Sequence, residues 1–470
     1  MSDWLWTSAE AEAATGGAGS RAWSASGLSI DSRAVAPGDL FVALRGETHD
    51  GHDHVAAALA AGASAALVAR LPAGLPPGAA LLRVPDTFEA LVRLATAARA
   101  RAAAARSVAV TGSAGKTSTK DALRHVLSAQ APTHGAAASF NNHVGVPVTL
   151  ARLPRDAAFA VYEIGMNHAG EIAPLVRMVR PHVAIVTTVS HAHSGNFADG
   201  IDGVARAKSE IFAAGGEAAI VNRDIPHHGV LEAEARRRGF AAVLGFGEHP
   251  RAEFRLVATR PEGGGIAVDA EVEGRRLSFV VGAPGRHWAM NALAVLAATR
   301  ALGADMEAAA AALATVAAPR GRGQQRWLGP ADRRFLLLDE SYNANPASMR
   351  AALDVAGGLA PGAGGRRIAV LGDMLELGAE APALHAALAA PVEAAGMDLA
   401  FTCGPLMRGL HEALPARMRG AHAPDSASLA ALVAAEIRAG DVVVVKGSLG
   451  SRMQRVVDAL VALDAVQATA

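Results

Sequence analysis

Val108-Ala109-Val110-Thr111-Gly112-Ser113-Ala114-Gly115-Lys116-Thr117-Ser118 is the stretch on which the fold reading turns. A β-branched run enters a glycine-rich turn, and Lys-Thr then opens a helix-compatible segment, Ser118 to Ala129. Such a turn aims consecutive backbone N–H groups and a helix N-terminus at one point, a geometry that suits a phosphate. Lys116 is placed to bridge outer phosphates, and the Thr117 hydroxyl to reach an accompanying Mg²⁺. The plain alternative is a glycine turn that only links strand to helix. Val110 stands where the general G-x-x-x-x-G-K pattern has its first glycine, so the loop is the compact T-G-x-x-G-K-T form.

Composition sets bounds around this loop. A chain of 470 residues predicts roughly three domains, because single cores stop growing near 250–300 residues. Lys plus Arg (44) equals Asp plus Glu (44), so no basic field exists to gather nucleic acid or anionic lipid. One cysteine, Cys403, excludes an intramolecular disulfide framework and fits a reducing cytosol. Met1-Ser2-Asp3-Trp4 lacks a basic stretch followed by an apolar core, and no run of about 18 apolar residues spans a membrane. A soluble cytoplasmic protein is expected.

The middle of the chain alternates strand-like and helix-like segments, the signature of a parallel sheet. Candidate strands are Val108–Thr111, Phe159–Ile164, Val183–Val189, Ala219–Asn222 and Ala241–Phe246, several ending in a polar residue. Ligands bind beyond the carboxyl ends of such strands. Phe254–Ala258, Ile266–Val272 and Leu277–Val281 read instead as an antiparallel meander. After Pro319-Arg320-Gly321-Arg322-Gly323, which reads as an interdomain joint, Phe335–Asp339, Ile368–Leu371, Leu399–Cys403 and Val442–Lys446 read as buried parallel strands. The expected fold class is α/β in three domains. Residues 1–104 form a small mixed unit, 105–318 a P-loop parallel-sheet domain with an antiparallel extension, and 319–470 a Rossmann-like domain.

Further segments carry chemistry-bearing residues. They include Tyr162-Glu163-Ile164-Gly165-Met166-Asn167, Ala192-His193-Ser194-Gly195-Asn196-Phe197, and Ala205-Arg206-Ala207-Lys208-Ser209-Glu210-Ile211-Phe212. Asn141-Asn142-His143-Val144-Gly145-Val146-Pro147, Pro284-Gly285-Arg286-His287-Trp288-Ala289-Met290-Asn291 and Gly321-Arg322-Gly323-Gln324 follow the same order of motifs. Asp339-Glu340-Ser341-Tyr342-Asn343-Ala344-Asn345-Pro346 and Leu371-Gly372-Asp373-Met374-Leu375-Glu376-Leu377-Gly378 complete the set, with Asp31-Ser32-Arg33 and Gly46 through His52 near the N-terminus. Taken alone, each has an ordinary reading: a strand-end carboxylate, a turn-forming Asn pair, a solvated helical lysine. Their order along nearly the whole chain resembles the Mur ligase family of ATP-dependent amide-forming enzymes.

That resemblance implies a set of roles. Gly112, Ser113, Ala114, Gly115, Lys116, Thr117, Ser118, His287, Asn291, Arg322, Tyr342, Asn343 and Asn345 would meet ATP. Trp288 stands where the family usually has Asn. Thr117, Glu163, His193 and Lys208 would hold Mg²⁺, with Lys208 carbamoylated by CO₂ and His191 a neighbouring confounder. Lys116, Lys208, His193 and Arg322 would be the catalytic groups. Ser32, Arg33, Gly46, Asn141, Asn142, Asn167 and Asp373 would face the substrates. The Leu371–Gly378 segment marks the branch that adds D-alanyl-D-alanine to a UDP-N-acetylmuramoyl-tripeptide through an acyl phosphate. Two rivals are a sibling ligase with another amino-acid acceptor and a non-catalytic P-loop switch. His49-Asp50-Gly51-His52-Asp53-His54 has the letters of a metal site, but adjacent loop residues rarely converge on one tetrahedral ion.

Overall fold

The strand Arg106–Thr111 is buried from Ser107 onward and pairs in parallel with Phe159–Glu163 on one side and Val183–Val186 on the other. Strands covered on both faces carry continuous apolar runs, which is why this part of the chain was readable as parallel sheet. The computed structural model describes residues 4–330 and 333–465, so Met1–Asp3 of the N-terminal reading lie outside it. Around this strand grows a nine-stranded sheet. On one side it continues through Phe159–Glu163 to Thr133–Gly135, and on the other through Val183–Val186, Ala218–Asn222 and Ala242–Gly247, all parallel.

The meander does not form a separate sheet. Phe254–Glu262 pairs in parallel with Ala242–Gly247, and only then do Gly265–Val272 and Arg275–Val281 add antiparallel. Helix Arg286–Ala301 lies beneath it with eleven buried residues, among them Trp288 and Leu293. The helix after the glycine turn is Lys116–Ser128, two residues earlier at its start than the sequence suggested. The strand expected to reach Val189 ends at Val186, because Thr187 to Ser190 turn aside to bind the glycine loop.

The C-terminal sheet has six strands, ordered Gln324–Leu328, Phe335–Glu340, Val442–Lys446, Arg367–Gly372, Leu399–Cys403 and Arg419–Ala423. The first pair is antiparallel and the others are parallel. Phe335–Glu340 and Val442–Lys446 are aligned so that Glu340 faces Lys446, and this side of the sheet looks toward the glycine loop.

The N-terminal unit is a five-stranded mixed sheet plus a two-stranded ribbon. Its attachment to the middle unit is polar as well as apolar. The Trp6 indole Nε1 donates to the Ala151 carbonyl at 2.9 Å, fully buried. The Arg101 guanidinium stacks 3.9 Å from the centre of the Trp6 ring, and Arg152 Nε donates to the Leu28 carbonyl at 2.6 Å. Among the described residues no helix is long and apolar enough to cross a membrane.

Trp6→Phe keeps the aromatic face for Arg101 but leaves the Ala151 carbonyl without its donor. A buried acceptor left unmet costs about 1–3 kcal/mol. The variant is expected to lower the unfolding free energy, from urea titration followed by circular dichroism, by that amount, and an unchanged value would show that the bond does not hold the two units together.

Candidate functional site

Gly112 and Gly115 adopt φ values of 150° and 81°, which place the loop backbone where side chains could not follow. The loop is pinned from the neighbouring strand: Ser113 N donates to the Thr188 carbonyl at 2.8 Å, and Thr187 Oγ1 to the Ala114 carbonyl at 2.5 Å. Gly115 caps helix Lys116–Ser128 without any side-chain acceptor, so the N–H groups of its first turn remain available to an anion. Lys116 folds back over the loop, its Nζ 2.6 Å from the Gly112 carbonyl.

Next to this turn sits a compact oxygen cluster. Thr117 Oγ1 donates to Glu163 Oε2 at 2.8 Å, and Asn141 Nδ2 donates to Glu163 Oε1 at 2.7 Å. Ser139 Oγ lies 3.1 Å from Thr117 Oγ1. These groups line a cavity of about 460 Å³, together with Ser113 to Ser118, Asn167, His193, His287 and Asn291 from the middle unit. The C-terminal unit closes it with Arg322, Glu340, Tyr342, Asn343, Asn345 and Lys446.

Two bonds cross from one unit to the other at the loop itself. Asn345 Nδ2 reaches the Ser113 carbonyl at 3.2 Å, and Arg322 Nη2 reaches Ser139 Oγ at 3.4 Å. The Arg322 guanidinium lies 4.2 Å over the Tyr342 ring, which fixes the plane of its fork. Arg322 and Lys116 thus face the same cavity from opposite units.

Lys208 is the most unusual group. It is 2% exposed, and among the described residues no carboxylate offsets the burial of its ammonium. Burial pushes its pKa well below the usual lysine value, and the nearby Lys116 charge pushes it further. Lys116 itself is lowered by burial, against the pull of Glu163. A buried amine without a counterion is a competent nucleophile toward CO₂, so the environment fits carbamate formation. His287 is likewise held neutral by burial.

Among the described residues no three of His, Cys, Asp and Glu gather as a preformed metal site. The Thr117 hydroxyl and Glu163 carboxylate nevertheless form a hard-oxygen pair at the foot of the phosphate loop. That donor set fits Mg²⁺, which takes one or two carboxylates and completes its shell with phosphate and water.

The remaining sequence candidates fall in three places. His193 faces the cavity, whereas His191 turns away to Glu380 at 3.3 Å, so the two histidines are separated. Asn142 does not line the cavity; its side-chain oxygen accepts from Val144 N and Gly145 N and starts helix Gly145–Ala151. Asp373 is also off the cavity wall, its carboxylate taking Met407 N at 2.8 Å and Leu406 N at 3.4 Å. Ser32, Arg33 and Gly46 lie on the N-terminal unit, where Arg33 pairs with Asp31 and is largely exposed. His52 spends both ring nitrogens locally, on Asp50 at 2.6 Å and on the Ala69 N–H at 2.8 Å.

Sequence reasoning passed over the Lys446–Glu340 pair as a part of the site. It is nearly buried at 3.0 Å, and Lys446 Nζ also donates to the Asn343 carbonyl at 2.9 Å, which holds the Ser341–Asn345 turn against the cavity. Strand-end polar residues on two candidate strands were the available signal. Ser139, in an Ala-Ser loop, offered none.

Comparison with known proteins agrees with this geometry. Residues 110–299 match the Mur ligase middle domain, 326–449 the Mur ligase glutamate ligase domain, and 24–99 the Mur ligase family catalytic domain. The UDP-N-acetylmuramoyl-tripeptide–D-alanyl-D-alanine ligase of Escherichia coli K12 is 37% identical, over 92% of this chain and 93% of its own. The ligase of the same name from Bacillus subtilis is 31% identical, over 93% of each chain. A crystal structure of MurF from Acinetobacter baumannii superposes with a TM-score of 0.83 at 29% identity, covering 97% of this chain and 99% of that one. The chain belongs to the Mur ligase family.

Proposed function

We propose that this chain is an ATP-dependent ligase that joins D-alanyl-D-alanine to the terminal carboxylate of a UDP-N-acetylmuramoyl-tripeptide, with release of ADP and phosphate. The observation that carries the reading is the cavity in which Lys116 and Arg322 converge from two units beside the Thr117–Glu163 pair. The names of the relatives supply the substrates.

In the first step a carboxylate oxygen attacks the γ-phosphorus of ATP, the bond to the β-phosphate oxygen breaks, and an acyl phosphate forms. In the second, the dipeptide amine attacks the acyl carbon, loses a proton, and inorganic phosphate leaves with the former acyl–oxygen bond pair. Catalysis of this kind is mainly positioning and charge stabilisation. The loop N–H groups and Lys116 bind the phosphates from the middle unit. Arg322 supplies a fixed fork at the transferring group, and Asn345 ties the C-terminal unit to the loop. His287 and Asn291, at the start of helix Arg286–Ala301, are assigned to the nucleotide, as are Tyr342 and Asn343.

Thr117, Glu163, His193 and a carbamoylated Lys208 are the residues assigned to hold Mg²⁺, which when bound neutralises phosphate charge. Asn141 and Asn167 are assigned to the tripeptide side. We assign residues 1–104, with Ser32, Arg33 and Gly46, to the UDP moiety, 105–318 to ATP, and 319–470 to closure and the dipeptide. Asp373 acts there by anchoring Leu406 and Met407. We assign the chain as a monomer that acts in the cytoplasm, where its small-molecule substrates would be met.

Lys116→Ala is expected to reduce ADP and phosphate release by more than a hundredfold while its circular dichroism spectrum stays that of the parent. Turnover within threefold of the parent in a folded variant would remove the nucleotide assignment.

For Lys208, both Ala and Arg substitutions should abolish ligation, and acetate should partly restore only the Ala variant. Depleting CO₂ should slow the parent enzyme and leave Lys208→Ala with acetate unaffected. Full activity of Lys208→Arg would discard the carbamate.

Asp373→Asn weakens the carboxylate that gathers Leu406 and Met407. Initial rates should show KM for D-alanyl-D-alanine raised several-fold more than KM for ATP, and equal changes in both would count against an acceptor-side role.

A further inference from the structure

Beside the cavity, a turn of the middle unit meets a turn of the C-terminal unit head on. His193 and Glu376 both have left-handed backbone, with φ of 64° each, and the Glu376 carboxylate contacts His193 Nδ1. Non-glycine residues seldom adopt that conformation, and here two of them face each other across a unit boundary. The backbones touch as well. Gly195 N donates to the Glu376 carbonyl at 3.4 Å, and a Cβ on Gly195 would fall 2.6 Å from Gly378 N. His191 and Glu380 flank the contact at 3.3 Å.

Stability does not account for the His193–Glu376 pair. The Glu376 side chain is 53% exposed, and ion pairs of that exposure contribute little to folding. Its geometry has a different consequence. A carboxylate against Nδ1 favours the proton on that nitrogen and leaves Nε2 as the one with a free lone pair. His193 lines the cavity, and Glu376 belongs to the Leu371–Gly378 segment that marks the acceptor branch.

We infer that Glu376 is a positioning residue for His193: it reaches from the C-terminal unit to orient the imidazole, so that cation binding on the His193 side of the cavity depends on docking of the acceptor segment. This rests on the assignment of His193 to a divalent cation. It makes the acceptor-bearing unit a condition for completing the phosphate-side site, through one side chain.

The test is Mn²⁺ binding to the full-length protein in the presence of β,γ-methylene-ATP, with free Mn²⁺ followed by electron paramagnetic resonance. Removing a partner of this type weakens a metal site by about 10–100-fold. Glu376→Ala is expected to weaken the second Mn²⁺ by that factor with the first unchanged. Glu376→Gln, whose amide oxygen can still accept from Nδ1–H, should fall between it and the parent. Gly378→Ala keeps the carboxylate but drives the two turns apart, and should resemble Glu376→Ala. Parent-like binding of the second Mn²⁺ in Glu376→Ala, with loss in His193→Ala, would overturn the positioning role and leave the His193 assignment standing. Parent-like binding in His193→Ala would overturn that assignment itself. If Glu376→Ala proves unstable, parent-like binding in both Glu376→Gln and Gly378→Ala overturns the inference equally.

Discussion

The site depends on how closely Gly112 approaches Thr187. A Cβ on Gly112 would lie 1.9 Å from Thr187 Oγ1, so this position admits only glycine. That approach lets the Thr187 hydroxyl bond the Ala114 carbonyl and lets Ser113 exchange bonds with Ser190. The loop is therefore shaped jointly by its own glycines and by the Thr187–Ser190 segment that follows the adjacent strand. With its carbonyls engaged sideways, its N–H groups and the uncapped start of helix Lys116–Ser128 are left directed at one place. The early end of the strand at Val186 is the cost of this clamp, since Thr187 to Ser190 cannot bind the loop and also extend the sheet.

Electrostatics then explains why two units meet here. Lys208 is buried and Lys116 half-buried, and both are held below the usual lysine range: Lys208 by burial and the Lys116 charge, Lys116 by burial and the Arg322 charge against the pull of Glu163. Lys446 escapes this by pairing with Glu340 at 3.0 Å. Arg322 adds another cation to the same cavity. Buried charge without a partner is costly, so the arrangement is incomplete until an anion enters. Under the proposed function a triphosphate would answer the excess on Lys116 and Arg322, and a carbamate on Lys208 would change that side chain from a would-be cation to an anion.

What the sequence made legible follows from where the information sits. Strands buried on both faces, such as Val183–Val186 and Val442–Lys446, carry a continuous apolar signal and were read. Thr133–Gly135, Gln324–Leu328 and Arg419–Ala423 are edge strands with mixed exposure, and nothing in their letters distinguishes them from loop. In the site, contiguous motifs supplied most of the side chains that line one cavity. Asn142 and Asp373 show the limit: their polarity marked them, but their oxygens are taken by backbone N–H groups that only the tertiary fold supplies. His191 and His193 could not be told apart in sequence, because the left-handed turn at His193 is what sends one ring to the cavity and the other to Glu380.

One residue couples the two halves of the C-terminal unit's contribution. The Ser341–Asn345 turn leaves the strand ending at Glu340, the Asp373–Gly378 segment leaves the strand ending at Gly372, and Lys446 ends the strand between them. Just beyond Lys446, Ser448 touches both. Its Oγ donates toward the Ala344 carbonyl at 3.3 Å and accepts from Leu375 N at 2.9 Å, while its own N–H bonds the Asp373 carbonyl at 3.0 Å. The nucleotide-side turn and the acceptor segment therefore belong to one hydrogen-bonded edge of one sheet. Displacing that sheet withdraws Asn345 from the Ser113 carbonyl and Glu376 from His193 together. Any movement of that sheet therefore carries both contacts with it, because the sheet moves as a unit.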